Sequence, residues 1–302
     1  MRQVFKNKIT WVDITSPDEE DISYLRRNYK FHPLTLEELK CPSQRDKTES
    51  YDSYIFLVVH FPCWNETEQK SYPWELDIII TDDSLITVCY ETNVEMRDEL
   101  MEKVYSKDFE KLYLSDTIKL LYFILEYFFD FAMRQIAHIQ EKINDVEKNI
   151  FSGKSEQAIP NISFVKRDIL NFQRTFRYLK ETLRSLSRQG PRVFGEEKRI
   201  YFEDLLGDSL KVENLITSFK DNIESLENTN NSLMDHKTNI LTRIYTILSL
   251  ITWPALLVIG AYQMNTRYLP FVGSANDFWL ILFIAFIPSA IIFFYLRKKK
   301  LL

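Results

Sequence analysis

The apolar positions change their spacing along the chain, and each change separates one kind of element from the next. Up to residue 91 they come in short runs rich in Ile, Val, Phe and Tyr: KITWVDI (8–14), YIFLVVHF (54–61), ELDIIIT (75–81) and SLITVCYE (84–91). Such runs predict strands, and Asp82-Asp83 between the last two predicts a hairpin turn. Ser16-Pro17-Asp18-Glu19 predicts a helix start, with Ser16 as N-cap, Pro17 in the first position and acids in the first turn. HPLTLEELK (32–40) predicts a further helix. Residues 1–95 therefore read as an α/β domain with three or more strands.

Beyond residue 95 the spacing turns helical. Residues 116–151 and 162–189 are long amphipathic stretches separated by SGKSEQAIPN, a loop-like interval. They predict an antiparallel helix pair within 96–192, with Gly190-Pro191 ending its second member. A third helix is expected over 197–243, without a proline as far as Ile244. Its apolar residues Val212, Ile216, Phe219, Ile223, Leu226, Leu233, Ile240 and Ile244 form a heptad-like seam, with Asn230 and Lys237 in the same register. Such a stalk must bury its seam against other helices or against copies of itself, and homo-oligomerisation about an axis is the simplest solution.

Two unbroken apolar runs follow. Residues 244–262 and 278–296 are each 19 residues long without a charge. About 20 apolar residues cross a bilayer core of roughly 30 Å, so both are expected to be transmembrane helices. Lys237 and Arg243 precede the first, and Arg297 with Lys298, Lys299 and Lys300 opens the basic tail 297–302, whereas the loop 263–277 carries only Arg267 and Asp277. The positive-inside rule then places both termini in the cytoplasm and the loop outside. Pro254 and Pro288 fall inside the two spans, where each removes one backbone hydrogen bond.

Charge narrows the function classes. Across 302 residues the net charge is −5, which gives no nucleic-acid footprint. Three scattered cysteines and four histidines form no metal-binding spacing and suit a reducing compartment. The N-terminus has no apolar core and is not expected to be a secretory signal. No Gly-rich phosphate loop, nucleophile elbow or acid–base set is found, so no enzyme and no prosthetic group is expected. The stalk carries eight acids between Glu203 and Asp235 against Lys211 and Lys220. This is either a solvated helix face or, repeated around an axis, a concentrator of cations; such carboxylate oxygens suit Mg²⁺ and Ca²⁺.

Thr242, Tyr245, Ser249, Trp253, Leu256 and Gly260 recur at three- and four-residue steps and share one face of the first span. The spacing fits both a helix-packing face and a pore lining, and taken alone it favours packing.

Taken with the order of parts, WVDITSPDEEDI, FHPLTLEELKCPSQRDKTESYDSYIFLVV, VKRDILNFQRTFRYLKETLRSL, YFEDLLGD and HKTNILTRIY resemble the CorA family of divalent-metal transporters over essentially the whole chain. The family's most specific mark is a Gly-Met-Asn triplet closing the first span after an aromatic residue. Here Gln263-Met264-Asn265 follows Tyr262. The resemblance implies an α+β membrane protein: a cytosolic α/β domain, an antiparallel helix pair, and a long stalk helix continuing into the first of two C-terminal spans. It also implies a funnel-shaped homopentamer in the plasma (inner) membrane. The first span would line the pore and the second surround it, which favours pore lining for the polar stripe.

The resemblance assigns Asn265 to the filter, where five carboxamides accept hydrogen bonds from the water shell of Mg²⁺, with Gln263, Met264 and Gly260 beside it. Asn239 would form a polar ring at the cytosolic entrance, followed by Thr242, Tyr245, Ser249 and Trp253, the two aromatic rings acting as gates by dewetting. Asp204 matches a regulatory metal-binding aspartate. Asp208 and, after the YIFLVV strand, Glu66 are the accompanying acids. Divalent cations would be both substrate and regulator; self and bilayer are the partners. The chain departs from the family where Gln263 replaces glycine, and where Arg267 stands at a place commonly acidic, with Asp277 a partial offset. Those departures leave open a same-fold transporter of different selectivity (ZntB-like zinc transport, or weakly selective or anion passage). They also leave open a non-conducting metal-sensing scaffold.

Overall fold

The computed structural model describes residues 1–65, 70–92, 94–105, 109–264, 270–273 and 276–299. It divides into two compact units, Met1–Asn228 and Thr229–Leu302.

The first unit is built on a six-stranded sheet of β1 (Arg2–Lys6), β2 (Thr10–Thr15), β3 (Lys47–Ser50), β4 (Ile55–Asn65), β5 (Lys70–Ile80) and β6 (Ser84–Cys89). The spatial order is β1-β2-β6-β5-β4-β3. Only β2 and β6 run parallel; every other neighbouring pair is antiparallel. Two edge strands, β1 and β3, are not foreshadowed by apolar runs, because RQVFK and KTES are largely polar and half-exposed.

Alternation along each strand sorts side chains to two faces. Ile55, Leu57, Val59 and Phe61 of β4, with Trp74, Leu76 and Ile78 of β5, join one core. Phe56, Val58 and Ile79 join the other. The second core is covered by α1 (Glu19–Asn28) and α2 (Pro33–Glu38) through Ile22, Leu25 and Leu36. The first core is larger. It takes in α3 (Glu95–Val104), α4 (Phe109–Leu112), α5 (Thr117–Phe151), α6 (Ser155–Phe194) and the first half of α7 (Arg199–Tyr262).

Several boundaries differ from the sequence expectation. The cap of α1 is Asp18, not Ser16: Asp18 accepts from the Asp21 amide at 2.8 Å and Asp21 answers in a capping box. Ser16 instead has φ 49° and donates its hydroxyl to the Tyr90 carbonyl at 3.0 Å. The interval between α5 and α6 shrinks to residues 152–154, turned by Gly153 at φ 82°. Pro160 lies inside α6; the carbonyl it deprives is that of exposed Glu156, where solvent can replace the amide. Gly190-Pro191 does not stop α6 either. A Cβ at Gly190 would meet the Phe202 ring at 2.5 Å, so glycine serves there to let α7 approach α6. A short 3-10 turn, Glu196–Lys198, precedes α7.

The stalk seam is also covered differently. Val212, Ile216, Ile223 and Leu226 are buried in the chain's own large core rather than held for a second copy. They have this cover because α5 and α6 lie in the same unit. Leu233, Ile240 and Ile244, in the second unit, are exposed.

The second unit comprises the rest of α7 and α8 (Asp277–Lys298). Both helices are long and apolar enough to cross a membrane. Their apolar windows are 0% and 17% buried within the chain, which a buried core helix would not be.

At the sheet, His60 of β4 faces Glu75 of β5 in register and sits between two carboxylates. Its Nδ1 lies 2.6 Å from Asp46 Oδ1 and its Nε2 3.4 Å from Glu75 Oε2. Burial disfavours the charged ring, but the bonds with Asp46 and Glu75 outweigh it and raise the pKa from 6.5 to about 10.

Two predictions follow from this packing. Gly190→Ala should lower stability by about 1–3 kcal/mol through overpacking against Phe202. Gly207→Ala, where a Cβ meets nothing within 4 Å, should leave it unchanged or raise it; thermal unfolding of the solubilised protein reads both. The second prediction concerns pH. The His60 contribution to stability is complete below pH 6.5, falls above it, and is gone once pH passes about 10. His60→Gln should therefore flatten the decline in melting temperature between pH 7 and 10; an unchanged slope would place the proton elsewhere.

Candidate functional site

The candidate residues fall in two groups, one in each unit. In the second unit, α7 presents Asn239, Thr242, Tyr245, Ser249, Trp253 and Gly260 at helical steps of three, four and seven, all exposed in the chain. Tyr245 and Trp253 are each 66% exposed, large aromatic surfaces without cover. Thr246 and Thr252 satisfy their hydroxyls on the helix itself, donating to the carbonyls of Thr242 at 2.8 Å and Leu248 at 3.0 Å. That back-bonding is how a hydroxyl is accommodated against lipid. Asn239, Thr242 and Ser249 have no side-chain hydrogen bond among the described residues, so they are free to pair with water or an ion's shell. Pro254 leaves one carbonyl of α7, that of Leu250, without its helical amide.

The end of α7 bears on the first departure from the family pattern. The Gln263 amide bonds the carbonyls of Ile259 at 3.1 Å and Gly260 at 3.2 Å, which continues the helical turn. Ser16 and Phe271 are the described non-glycine residues with positive φ, so Gln263 sits without the strain that a glycine would relieve. Met264 is exposed, its amide bonding Ala261 at 3.3 Å. The Tyr262 hydroxyl donates to the Pro270 carbonyl at 3.0 Å and ties the helix end to the loop. Asn265 and Arg267 lie outside the described residues, as does Glu66.

Asp277, the expected partial offset to Arg267, is also bound to the backbone. Its Oδ1 accepts from the Phe278 amide at 2.7 Å and its Oδ2 from the Gly273 amide at 3.2 Å, at the start of α8. A carboxylate there suits the free amides and positive end of the helix.

In the first unit, Asp204 near the start of α7 accepts a hydrogen bond from the Tyr122 hydroxyl of α5 at 2.7 Å. The same hydroxyl lies 3.0 Å from Glu126 Oε1, one turn along α5. Burial, then the two carboxylates, push the Tyr122 hydroxyl well up, so it stays protonated. One proton thus serves two carboxylates, and a cation would satisfy what the hydroxyl cannot. Sequence reading missed Tyr122 and Glu126; their four-residue spacing in an amphipathic helix gave only a weak signal. Asp208 is not part of this group, since it pairs with Lys211 at 2.7 Å.

The acidic face of the stalk is largely neutralised within the chain. Glu213 meets Lys180 at 2.8 Å, Glu227 meets Lys166 at 2.6 Å, and Glu203 meets Arg199 at 3.6 Å. Basic residues on α6 supply the first two partners, so this face is a weaker concentrator of cations than the stalk sequence alone implies.

This arrangement has close counterparts in length and fold. Over 293 residues the chain is 23% identical to the cobalt/magnesium transport protein CorA of Thermotoga maritima, covering 96% of this chain and 83% of that one. It is 20% identical over 302 residues to the magnesium transport protein CorA of Helicobacter pylori, covering 97% and 91%. The complete structure of the CorA magnesium transporter from Methanocaldococcus jannaschii superposes with a TM-score of 0.80 at 19% identity, covering 97% of this chain and 92% of that one. The full-length CmaX protein gives 0.70 at 13% identity, covering 97% and 88%. The profile of the CorA-like Mg²⁺ transporter protein family matches residues 6–298, and the chain belongs to that family.

Proposed function

We propose that the chain is one subunit of a passive, gated channel that carries hydrated divalent cations, Mg²⁺ foremost, across the plasma membrane. Five copies surround one axis, with α7 lining the pore, α8 outside it and both termini in the cytoplasm. The observation that carries this reading is the uncovered stripe on α7, where Asn239, Thr242 and Ser249 keep free polar groups beside exposed Tyr245 and Trp253.

Mg²⁺ gives up its water reluctantly, so a route that passes it hydrated needs oxygen acceptors rather than charges in direct contact. A ring of Asn265 carboxamides at the outer mouth supplies them, with Gln263 adding a second ring. Thr242 and Ser249 offer hydroxyls to the water shell further in. Rings of Tyr245 and Trp253 close the column by expelling water when α7 moves inward. The membrane potential drives uptake, contributing about 2.3 kcal/mol per charge per 100 mV. A divalent cation shared by Asp204 and Glu126 with a neighbouring copy biases the assembly toward the closed state, because it binds that state better.

Selectivity different from a plain magnesium channel is the second reading. It is motivated by the sequence of the outer loop, where Arg267 stands at a place commonly acidic in the family and Asp277 is the one acid of 263–277.

Reconstituted in liposomes, the protein should pass Mg²⁺ or Co²⁺ in preference to K⁺ and Cl⁻, and Asn265→Ala should reduce that flux at least tenfold. Unchanged flux in the variant would remove Asn265 from the filter, and a chloride current abolished by Arg267→Glu would establish the second reading. Asp204→Ala should raise the cytosolic-side Mg²⁺ concentration for half-inhibition about tenfold, a loss of about 1.4 kcal/mol of coupling. Inhibition that stays unshifted in flux assays over a Mg²⁺ series would place the regulatory cation elsewhere.

A further inference from the structure

One face of α8 is uncovered along its length and ends in cations. Ala285, Ser289 and Leu296 are the buried residues of this helix, and steps of four and seven put them on one side of it. Phe283, Ile287 and Phe294 each stand two residues before one of these, about 200° around the helix, and are exposed. Ala290 follows Ile287 by three residues and precedes Phe294 by four, so it lies on the same outer face, exposed as well. A small residue there leaves a notch between two bulky apolar ones. Arg297 and Lys298 follow Phe294 by three and four residues and continue the face.

The charge at this end is uncompensated. Asp235 and Asp277 are the acids from residue 229 onward. Neither pairs with Arg297, Lys298 or Lys299 among the described residues, and Asp277 stands at the opposite end of α8. Lys299 lies 5.5 Å over the Tyr295 ring, which leaves its charge in place. The carbonyls at the helix C-terminus carry about half a negative charge, which offsets only part of these cations. Apolar surface that runs into free cations is complementary to an acyl chain that runs into an anionic phosphate. The lengths agree too. From Ile287 to Arg297 the helix rises about 15 Å, half of a bilayer core of roughly 30 Å, which is the depth of one leaflet.

We propose that this face binds an anionic phospholipid, its phosphodiester on Arg297 and Lys298 and one acyl chain in the notch at Ala290, between Ile287 and Phe294. Guanidinium and ammonium donate charge-assisted hydrogen bonds to the phosphate oxygens. A zwitterionic headgroup brings its own ammonium, which the same cations repel. This site rests on the reading of α8 as a span outside the pore, and it adds a lipid partner that the pore itself does not require. The basic end of α8 then does more than set orientation in the membrane.

Native mass spectrometry of the purified, detergent-solubilised protein reads the preference, with phosphatidylglycerol and phosphatidylcholine of the same acyl chains offered in equal amounts. Phosphatidylglycerol should be retained at least about tenfold more, given two cations at the headgroup. Arg297→Gln combined with Lys298→Gln should bring it down to the phosphatidylcholine level. Lys148→Gln combined with Lys154→Gln removes the same charge from exposed positions of the first unit and should change nothing. Because the protein is purified first, the effect of these cations on insertion does not enter. Two further measurements serve if the Arg297 and Lys298 variant is not recovered. Ala290→Phe fills the notch, keeps both cations, and should lower phosphatidylglycerol retention several-fold. Raising NaCl from about 0.1 to about 1 M should release phosphatidylglycerol from the unaltered protein, as the Debye length shrinks from about 10 to about 3 Å. Equal retention of the two lipids, a preference indifferent to the α8 variants, one that falls as much in the first-unit control, or displacement by inorganic phosphate would each overturn the proposal. Flux through the same preparations keeps the two readings apart: lipid preference without flux refutes the transport reading alone, and flux without lipid preference refutes this site alone.

Discussion

Apolar helix surface that its own chain leaves uncovered is the constraint on which the rest depends. In α7 the residues Phe202, Leu205, Val212 and Ile216 are buried within the first unit. From residue 231 to the end of the helix the described residues are exposed or half-exposed, Leu248, Leu256 and Leu257 among them. Burying apolar area gains roughly 25 cal/mol per Å², so this much open surface demands lipid or other protein. The same helix also carries free carboxamide and hydroxyl groups, which lipid cannot satisfy. A single helix can meet both demands only if different faces see different surroundings. The assembly proposed for the chain, in a bilayer and with water on one side of α7, would provide them.

The first unit then reads as the anchor for that helix. Phe202 fits against Gly190 at a distance that no other residue would permit, and ion pairs from Lys166 and Lys180 hold the following turns. These contacts join α6 to α7 with charge on the rim and apolar packing inside. They also explain why the heptad-like seam does not imply self-association along its whole length: half of it is already covered.

How much was legible in the sequence depended on whether the signal was local. Strands β4, β5 and β6 were legible because they are buried on both faces and so read as continuous apolar runs. The two spans were legible because nothing but length and apolarity defines them. β1 and β3 were not, because edge strands are stabilised by pairing rather than by their own side chains. Gly190 and Pro160 misled because breaker residues were read without knowing that one meets Phe202 and the other an exposed helix start. The α7 stripe was legible as a period, but not its exposure. The Tyr122–Asp204 contact joins residues 82 apart in sequence and could not be read at all. The hydrogen bonds of Asp277 were not legible either, because they go to backbone amides, that of Gly273 before α8 and that of Phe278 in its first turn.

Gln263 changes the meaning of the first position of the proposed filter. Because the backbone there continues the last helical turn, every residue except proline can occupy it without conformational penalty. Its side chain is therefore open to selection on chemistry alone. A lineage could exchange hydration-shell acceptors at the mouth one residue at a time, with the helix beneath undisturbed, and so drift between ion preferences without passing through a misfolded intermediate.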